Sequence, residues 1–412
     1  MASYKQYKTI KGNLWRVKAY LGLDDNKEEV RVQKQGFKTK KEAKLYAERA
    51  QADFNNKKFL LKDRTPYGAV YIQWLDAYVK SGVKDSTIKS TTGLYENHIL
   101  PKLGDLPLSE ITIDMCQQLV NMWFNKFKTY RRLVNLMNQI FEYAIKKQIV
   151  TFNPVSHIDV PVNRSIKSER NVYSMKELKY FIDVLDVVAS KKQQMYFTLI
   201  AETGLRKSEA LALTWNDIDF ENKTLTVNKN VSKDLENKLV LDTPKTNTSN
   251  RTIDIADKIL IRLLKSWKSK QKELLTYFNI TVTNDSQLLF TTDTNQIHQP
   301  SSPNEWIESI YLKHDNLIKE LQTSTPSEEA LKLKHVIEKH SLELKPIKRL
   351  TIHEFRHTHC TLLFEAGIGV EDVKQRLGHS TIKTTLEVYD HYNKTRATKV
   401  ASTYYDYKKS LN

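Results

Sequence analysis

Four stretches between residues 66 and 160 place apolar side chains three and four positions apart: "YGAVYIQWLDAYVK", "STIKSTTGLYENHILPKL", "TIDMCQQLVNMWFNKF" and "YRRLVNLMNQIFEYAIKKQ". That spacing lines the apolar residues along one face of a helix, and such a face must be buried against another element. Four amphipathic helices in succession predict a compact bundle over 66–160. Pro154, Pro161 and the charged run "NRSIKSERN" at 163–171 end the pattern, and a linker is expected over 161–172. A chain of 412 residues also exceeds what one core ordinarily organises, so a change of domain there is expected on length.

Beyond the linker, Ser174 and Glu177 have capping-box spacing ahead of "LKYFIDVLDVV", and helices are predicted through "QQMYFTLIAETG" and "RKSEALALTW". After Trp215 the periodicity falls to two in "KTLTVNKN", "NKLVLD" and "RTIDIA", which predicts a three-stranded β-ribbon with a turn at "TPKTNTSN". Residues 313–346 are charge-rich and helix-prone and read as an insertion or helical excursion. At the other end of the chain, "LWRVKAYLGL" and "EEVRVQKQGF" alternate as in a small antiparallel sheet, and Thr39 and Glu42 mark the start of a helix. The expected fold class is mainly α and multidomain. A small α+β module spans 1–62, a helical bundle 66–160, and a mostly helical domain carrying the β-ribbon 173–412.

Charge narrows the partner. The formal net charge is +17, and the first 62 residues hold 16 Lys and Arg against 7 Asp and Glu, a net of +9. Such a cluster gains affinity for phosphate by releasing counterions, so the N-terminal module reads as a polyanion binder, against the plainer reading of a solvated surface. Trp15 and Phe37 within it are expected to be core. The two cysteines, Cys116 and Cys360, lie far apart with no C-x-x-C spacing, which supports neither a disulfide framework nor a thiolate zinc site and fits a reducing compartment. The N-terminal residues have no apolar signal region, and no run approaches the ~18 apolar residues of a membrane span, so an intracellular protein without a membrane partner is expected.

Residues 353–360, "HEFRHTHC", admit two chemistries. His353, Glu354 and His357 fit H-E-x-x-H, two zinc-binding imidazoles with a glutamate base. His353 and Arg356 also fit H-x-x-R, a base and a guanidinium one helical turn apart, suited to a phosphate. Three other stretches weigh on the choice. "TGLRKSEALAL" puts Arg206 at the start of an apolar helix with Glu209 placed to hold it, "TPKTNTSNRTIDI" lifts Lys245 onto a hairpin tip, and "LGHSTIKTTLEVYDHY" supplies His379 and, ten residues on, Tyr389. Each alone has a plain structural reading as a surface ion pair, a solvated lysine, a turn or a core tyrosine.

In this order, Arg…Lys…His-x-x-Arg…His…Tyr resembles the active-site series of the tyrosine recombinase (phage integrase) family over roughly residues 173–395. The bundle and the basic module occupy the places where that family carries its core-binding and arm-binding domains, and the layout is similar to integrases of Gram-positive temperate phages and integrative conjugative elements. Phe355 departs from the commoner leucine, and the 313–346 segment is longer than the family leads one to expect. The resemblance implies site-specific strand exchange on double-stranded DNA through a covalent phosphotyrosine, without a cofactor. It implies a clamp around duplex DNA, a homotetramer on synapsed core sites, separate arm sites, an excisionase or host DNA-bending partner, and a place in the cytoplasm of a bacterial host. Tyr389 is the expected nucleophile, with Tyr392 near enough to compete. A phenol is a weak nucleophile at neutral pH, so His353 is expected as base or proton shuttle, Arg206 and Arg356 as donors to the nonbridging oxygens, Lys245 as general acid and His379 as a hydrogen-bond donor. His357 and His359 are expected to be structural. The alternatives are a non-catalytic DNA-binding protein on the same scaffold and an H-E-x-x-H metalloprotease. The latter is disfavoured because Arg356 would set a cation beside the metal and the sequence offers no third ligand.

Overall fold

The computed structural model describes residues 2–9, 12–23, 29–55, 65–162, 171–243, 250–282 and 284–386. The chain divides into two compact units, Met1–Ser165 and Ile166–Asn412.

The first unit opens with an antiparallel sheet, β1 (Ala2–Thr9), β2 (Gly12–Leu23) and β3 (Glu29–Phe37), in the order β1-β2-β3. Alternation sends Val17, Ala19, Leu21 and Val32 to one face, where Ala43, Ala47 and Ala50 of α1 (Lys40–Asn55) cover them. Three alanines in register let the helix lie close on the sheet. Trp15 and Phe37 pack against this small core, as expected. The helix starts where Thr39 and Glu42 predicted: the Glu42 N–H donates to Thr39 Oγ1 at 3.2 Å, and the Glu42 carboxylate accepts from the N–H of Lys38 at 2.9 Å.

The bundle consists of α2 (Tyr67–Lys80), α3 (Asp85–Leu94), α4 (Leu100–Leu103), α5 (Ile113–Lys126) and α6 (Tyr130–Lys146). The single helix expected across 86–103 is interrupted by a π-turn, Tyr95–Ile99. Pro101 explains it, since its ring has no N–H and would crowd the carbonyl four residues earlier in a regular helix. Tyr95, inside the π-turn, is fully buried and donates to the Leu136 carbonyl at 2.5 Å, fastening the distortion to α6.

The second unit begins at α7 (Met175–Val188), capped reciprocally by Ser174 and Glu177 as the spacing predicted, and continues through α8 (Lys191–Thr203) and α9 (Lys207–Ala212). Five short strands come next: β4 (Ile218–Asp219), β5 (Thr224–Val227), β6 (Asn230–Lys233), β7 (Leu239–Asp242) and β8 (Arg251–Asp254). A three-stranded sheet is present in the order β4-β5-β8, and β6 with β7 forms a separate hairpin. The stretch "KTLTVNKN" therefore serves two sheets. It breaks beside Lys229, whose ammonium turns inward to Asp217 at 2.8 Å. Then come α10 (Lys258–Tyr277), α11 (Ser302–Glu320), α12 (Glu328–Lys339), α13 (Ile352–Glu365) and α14 (Val370–Leu377). The charge-rich 313–346 region is not an excursion, because Ala330, Leu333 and Ile337 of α12 enter the main core with Phe181, Phe197 and Phe355. Among the described residues no helix is long and apolar enough to cross a membrane.

Leu333 is fully buried and Leu331 half exposed on the same helix. Leu333→Ala is expected to lower unfolding stability in urea by about 2–5 kcal/mol, the usual cost of a buried leucine cavity. Leu331→Ala should stay within about 0.5 kcal/mol. Equal effects would show that α12 is not part of the core.

Candidate active site

Helix α8 ends at Gly204, whose φ of +64° turns the chain back into α9. A Cβ there would lie 2.6 Å from Leu377 Cδ2 and 2.8 Å from His359 Cδ2, so the close approach of α8, α13 and α14 requires glycine. Two residues on, Arg206 stands at the N-terminus of α9, where its backbone N–H donates to Glu209 Oε2 at 3.0 Å and its Nη1 to Oε1 at 2.6 Å. Glu209 thus holds Arg206, as the i,i+3 spacing predicted. The other guanidinium nitrogen, Nη2, donates to the Gly378 carbonyl at 3.0 Å, just past the end of α14.

Arg356 lies one turn into α13 and is 2% exposed. Among the described residues it meets no carboxylate. Nη1 donates to the Gly204 carbonyl at 2.8 Å and Nη2 to the Leu377 carbonyl at 2.6 Å. Both acceptors are C-terminal helix carbonyls, which carry partial negative charge and lack an intrahelical partner. Burial and the Arg206 charge pull Arg356 down to about 9, still a cation at neutral pH. His379 comes directly after Gly378, is 9% exposed, and has Nδ1 2.8 Å from Thr385 Oγ1. Burial, then Arg356 and Arg206, depress it to about 3, so it is a neutral imidazole at physiological pH.

Arg206, Arg356 and His379 therefore converge on one place, the 377–379 turn. His353 is exposed on the first turn of α13, its ring centroid 4.5 Å from that of His357. Lys245, Tyr389 and Tyr392 lie outside the described residues. His359 is buried, with Nδ1 2.9 Å from the Ala201 carbonyl and Nε2 accepting from Arg376 Nε at 3.1 Å; burial and Arg376 push it down to about 3. Its partners are those of a packing histidine. The H-E-x-x-H reading loses its base, because the Glu354 carboxylate caps α13, accepting from the Thr351 N–H at 2.6 Å. Among the described residues no group of three His, Cys, Asp or Glu is placed to hold a metal ion.

The sequence reading missed Arg251. Its side chain is 4% exposed, and it donates to Glu209 Oε2 at 2.8 Å and to the Arg376 carbonyl at 2.8 Å. Alternation along "RTIDI" could have found it: Arg251 shares a face with the buried Ile253 and Ile255, and an inward cation on a strand needs a carboxylate.

Burial alone would raise Glu209, but hydrogen bonds from Arg251 and the charges of Arg251 and Arg206 hold it down to about 2, from an ordinary value of 4.5. The stabilisation is complete above about pH 4.5 and is lost as pH falls towards 2, about 3 kcal/mol in all. His359 acts in the same direction at higher pH. The unfolded imidazole gains a proton below its ordinary 6.5, which the folded one refuses until about 3. Glu209→Gln should be less stable by about 3–5 kcal/mol at pH 7 through the stranded Arg251. Its stability should also fall less steeply than wild type below pH 4.5, as read from urea unfolding at each pH. Parallel slopes would rule out Glu209 as the titrating group.

Comparison with known proteins agrees with this geometry. Residues 172–396 match the phage integrase family, and residues 67–124 match the phage integrase N-terminal SAM-like domain. The chain is 26% identical to a tyrosine recombinase XerC-like protein of Caldanaerobacter subterraneus subsp. tengcongensis, over 98% of this chain and 99% of that one. It is 30% identical to the ICEBs1 integrase of Bacillus subtilis, over 64% of this chain and 61% of the relative, and 25% identical to the integrase of Staphylococcus phage L54a, over 84% and 94%. In fold it is similar to the Tn1549 transposon integrase solved in complex with transposon right end DNA, with a TM-score of 0.59 and 19% identity over 82% of this chain and 100% of that one. It is also similar to a lambda integrase tetramer bound to a Holliday junction, with a TM-score of 0.52 and 14% identity over 93% and 94%. With the family matched across more than half of its length and the arginines of the motif gathered at one buried turn, the chain belongs to the phage integrase family and is a tyrosine-type site-specific DNA recombinase.

Proposed function

We propose that the chain integrates and excises a mobile element by cutting and rejoining DNA through a 3′-phosphotyrosine on Tyr389. One observation carries the reading. Around the 377–379 turn, among the described residues, three guanidiniums gather: Arg206 and Arg251 on the Glu209 carboxylate, and Arg356 on the Gly204 and Leu377 carbonyls. Three guanidiniums gathered at one turn suit an anion, and a phosphodiester approaching its pentacoordinate transition state is one whose charge grows during reaction.

In the proposed step the Tyr389 oxygen attacks phosphorus and gives its proton to His353. The P–O bond to the 5′-oxygen breaks, and Lys245 protonates that leaving group. Arg206 and Arg356 hold the nonbridging oxygens, and His379 donates to one of them. The tautomer this task needs carries its proton on Nε2, and in it Nδ1 accepts from Thr385 Oγ1, 2.8 Å away. The new ester conserves the energy of the old one, so a second strand's 5′-hydroxyl can reverse the step without a nucleotide cofactor. The work on duplex DNA belongs to a cytoplasmic protein of the bacterial host and, as for the lambda integrase caught on a Holliday junction, to a tetramer. Residues 1–62 would bind separate arm sequences, 66–160 the core site, 161–172 would link them to the catalytic domain at 173–412, and an excisionase or DNA-bending protein would set direction.

A nicked suicide substrate should yield a covalent adduct with wild type and with Tyr392→Phe, and none with Tyr389→Phe. Adduct formation by Tyr389→Phe would move the nucleophile elsewhere. Arg206→Ala and Arg356→Ala should abolish cleavage while leaving duplex binding largely intact, since each removes one phosphate contact among many. Cleavage stopped by EDTA and restored by zinc would instead revive the metalloenzyme reading. Deleting residues 1–62, which hold +9 of the charge, should leave core-site cleavage in place, sharply reduce recombination of a full attachment site, and flatten the salt dependence of binding to it. Full recombination by the truncated chain would refute an arm-binding role.

A further inference from the structure

The hydrogen bonds around Glu209 close into a ring. Arg206 Nη1 reaches Oε1 at 2.6 Å. Arg251 reaches the same carboxylate with both ends of its fork, Nη2 to Oε2 at 2.8 Å and Nη1 to Oε1 at 3.3 Å. Arg251 Nε then holds the Arg376 carbonyl at 2.8 Å, and two residues along the chain the Gly378 carbonyl accepts from Arg206 Nη2 at 3.0 Å, completing the circuit. The members differ in access to solvent. The Arg206 side chain is 38% exposed, while those of Arg251 and Glu209 are each 4% exposed.

We propose that Arg251 is a positioning residue for strand cleavage: it fixes both the Glu209 carboxylate and the 376–378 turn, the two supports between which the Arg206 guanidinium is held towards the scissile phosphate. The proposal rests on the assignment of Arg206 to that phosphate. A carboxylate gripped by Arg206 alone could turn about its side-chain torsions, and Arg206 would turn with it. The second fork from Arg251, added to the Arg206 N–H at 3.0 Å, leaves Glu209 no unused lone pair and hence one orientation. Only a guanidinium has the planar fork plus a third donor, Nε, that can reach a carboxylate and a carbonyl at once; an ammonium on a flexible stem cannot hold both in one plane. A buried ion pair adds little stability over an apolar pair of the same volume, so its lasting contribution here is geometric. The geometry matters because displacement of a catalytic donor by about 1 Å can slow a reaction on the order of a hundredfold.

The test is single-turnover adduct formation on a nicked core-site duplex at saturating full-length protein, with affinity for the same duplex measured separately. Arg251→Met should bind DNA as wild type and cleave on the order of a hundredfold more slowly, with Arg251→Lys between the two. In an Arg206→Lys background, adding Arg251→Met should slow cleavage little further, because the route through Arg206 is already broken. The proposal is overturned by wild-type cleavage rates in both Arg251 variants, or by decrements that multiply with Arg206→Lys. Loss of DNA binding together with cleavage in both variants overturns it equally, as the mark of a purely structural role. Should Arg251→Met fail to fold, Arg251→Lys carries the same comparisons. Wild-type rates in Arg206→Lys and Tyr389→Phe would instead refute the assignment of the active site, a result independent of any Arg251 variant.

Discussion

A guanidinium buried without a carboxylate has to be met by main-chain carbonyls, and in a helical protein the unpaired ones stand chiefly in the last turns of helices. Arg356 meets this constraint by taking Gly204 at the end of α8 and Leu377 at the end of α14. Both helices are therefore obliged to end where they do. Each ends in a left-handed glycine, Gly204 with φ of +64° and Gly378 with φ of +66°, which turns the chain aside without a Cβ to strain. Each glycine leads within two residues to another piece of the site: Arg206 after the first, His379 after the second. One buried arginine thus fixes the separation of three helices, and the chemistry hangs from their ends.

The same logic explains what could be read in the sequence. The helical faces were legible because burial leaves a local signature at three- and four-residue spacing, and the caps at Thr39 and Ser174 are local too. Arg206, Arg356 and His379 were legible through their order along the chain and the company they keep. The partition of the strands was not. Nothing local in "KTLTVNKN" tells that Thr224–Val227 pair with β8 while Asn230 begins the pairing with β7, since pairing is decided by distant partners and by Asp217 drawing Lys229 inward. In α12 the many charges hid Ala330, Leu333 and Ile337, whose i, i+3, i+7 spacing does mark a buried face. Arg251 escaped because a motif reading looks for residues that touch substrate, and this one touches Glu209.

Positive charge works at two depths in this protein. Among the described residues the basic side chains of the N-terminal module are largely exposed, where attraction for a polyanion is shared among many contacts and screened by salt. Arg251 and Arg356 are sealed from water, where screening is weak and each contact is specific in direction. Under the proposed function the first kind gathers DNA, and the second builds the site in which one phosphate is held. Exchanging them would defeat both purposes: buried lysines could not track a long duplex, and an exposed Arg356 would spend its charge on water.

The buried cations also decide what His379 can do. Its folded value of about 3 lies well over three units below neutral, so protonation at pH 7 would need more than about 5 kcal/mol of compensating interaction. A phosphodiester entering the site supplies some, because its negative charge offsets the field of Arg356 and Arg206, the main neighbours that depress the imidazole. Burial, the largest cause, would remain or grow as DNA excludes water. Burial thus continues to favour the neutral imidazole, which suits the hydrogen-bond donor that the proposed step asks of His379 rather than an acid. The proposed proton transfers accordingly use groups outside this inner turn: His353, which stands exposed on the first turn of α13, and Lys245.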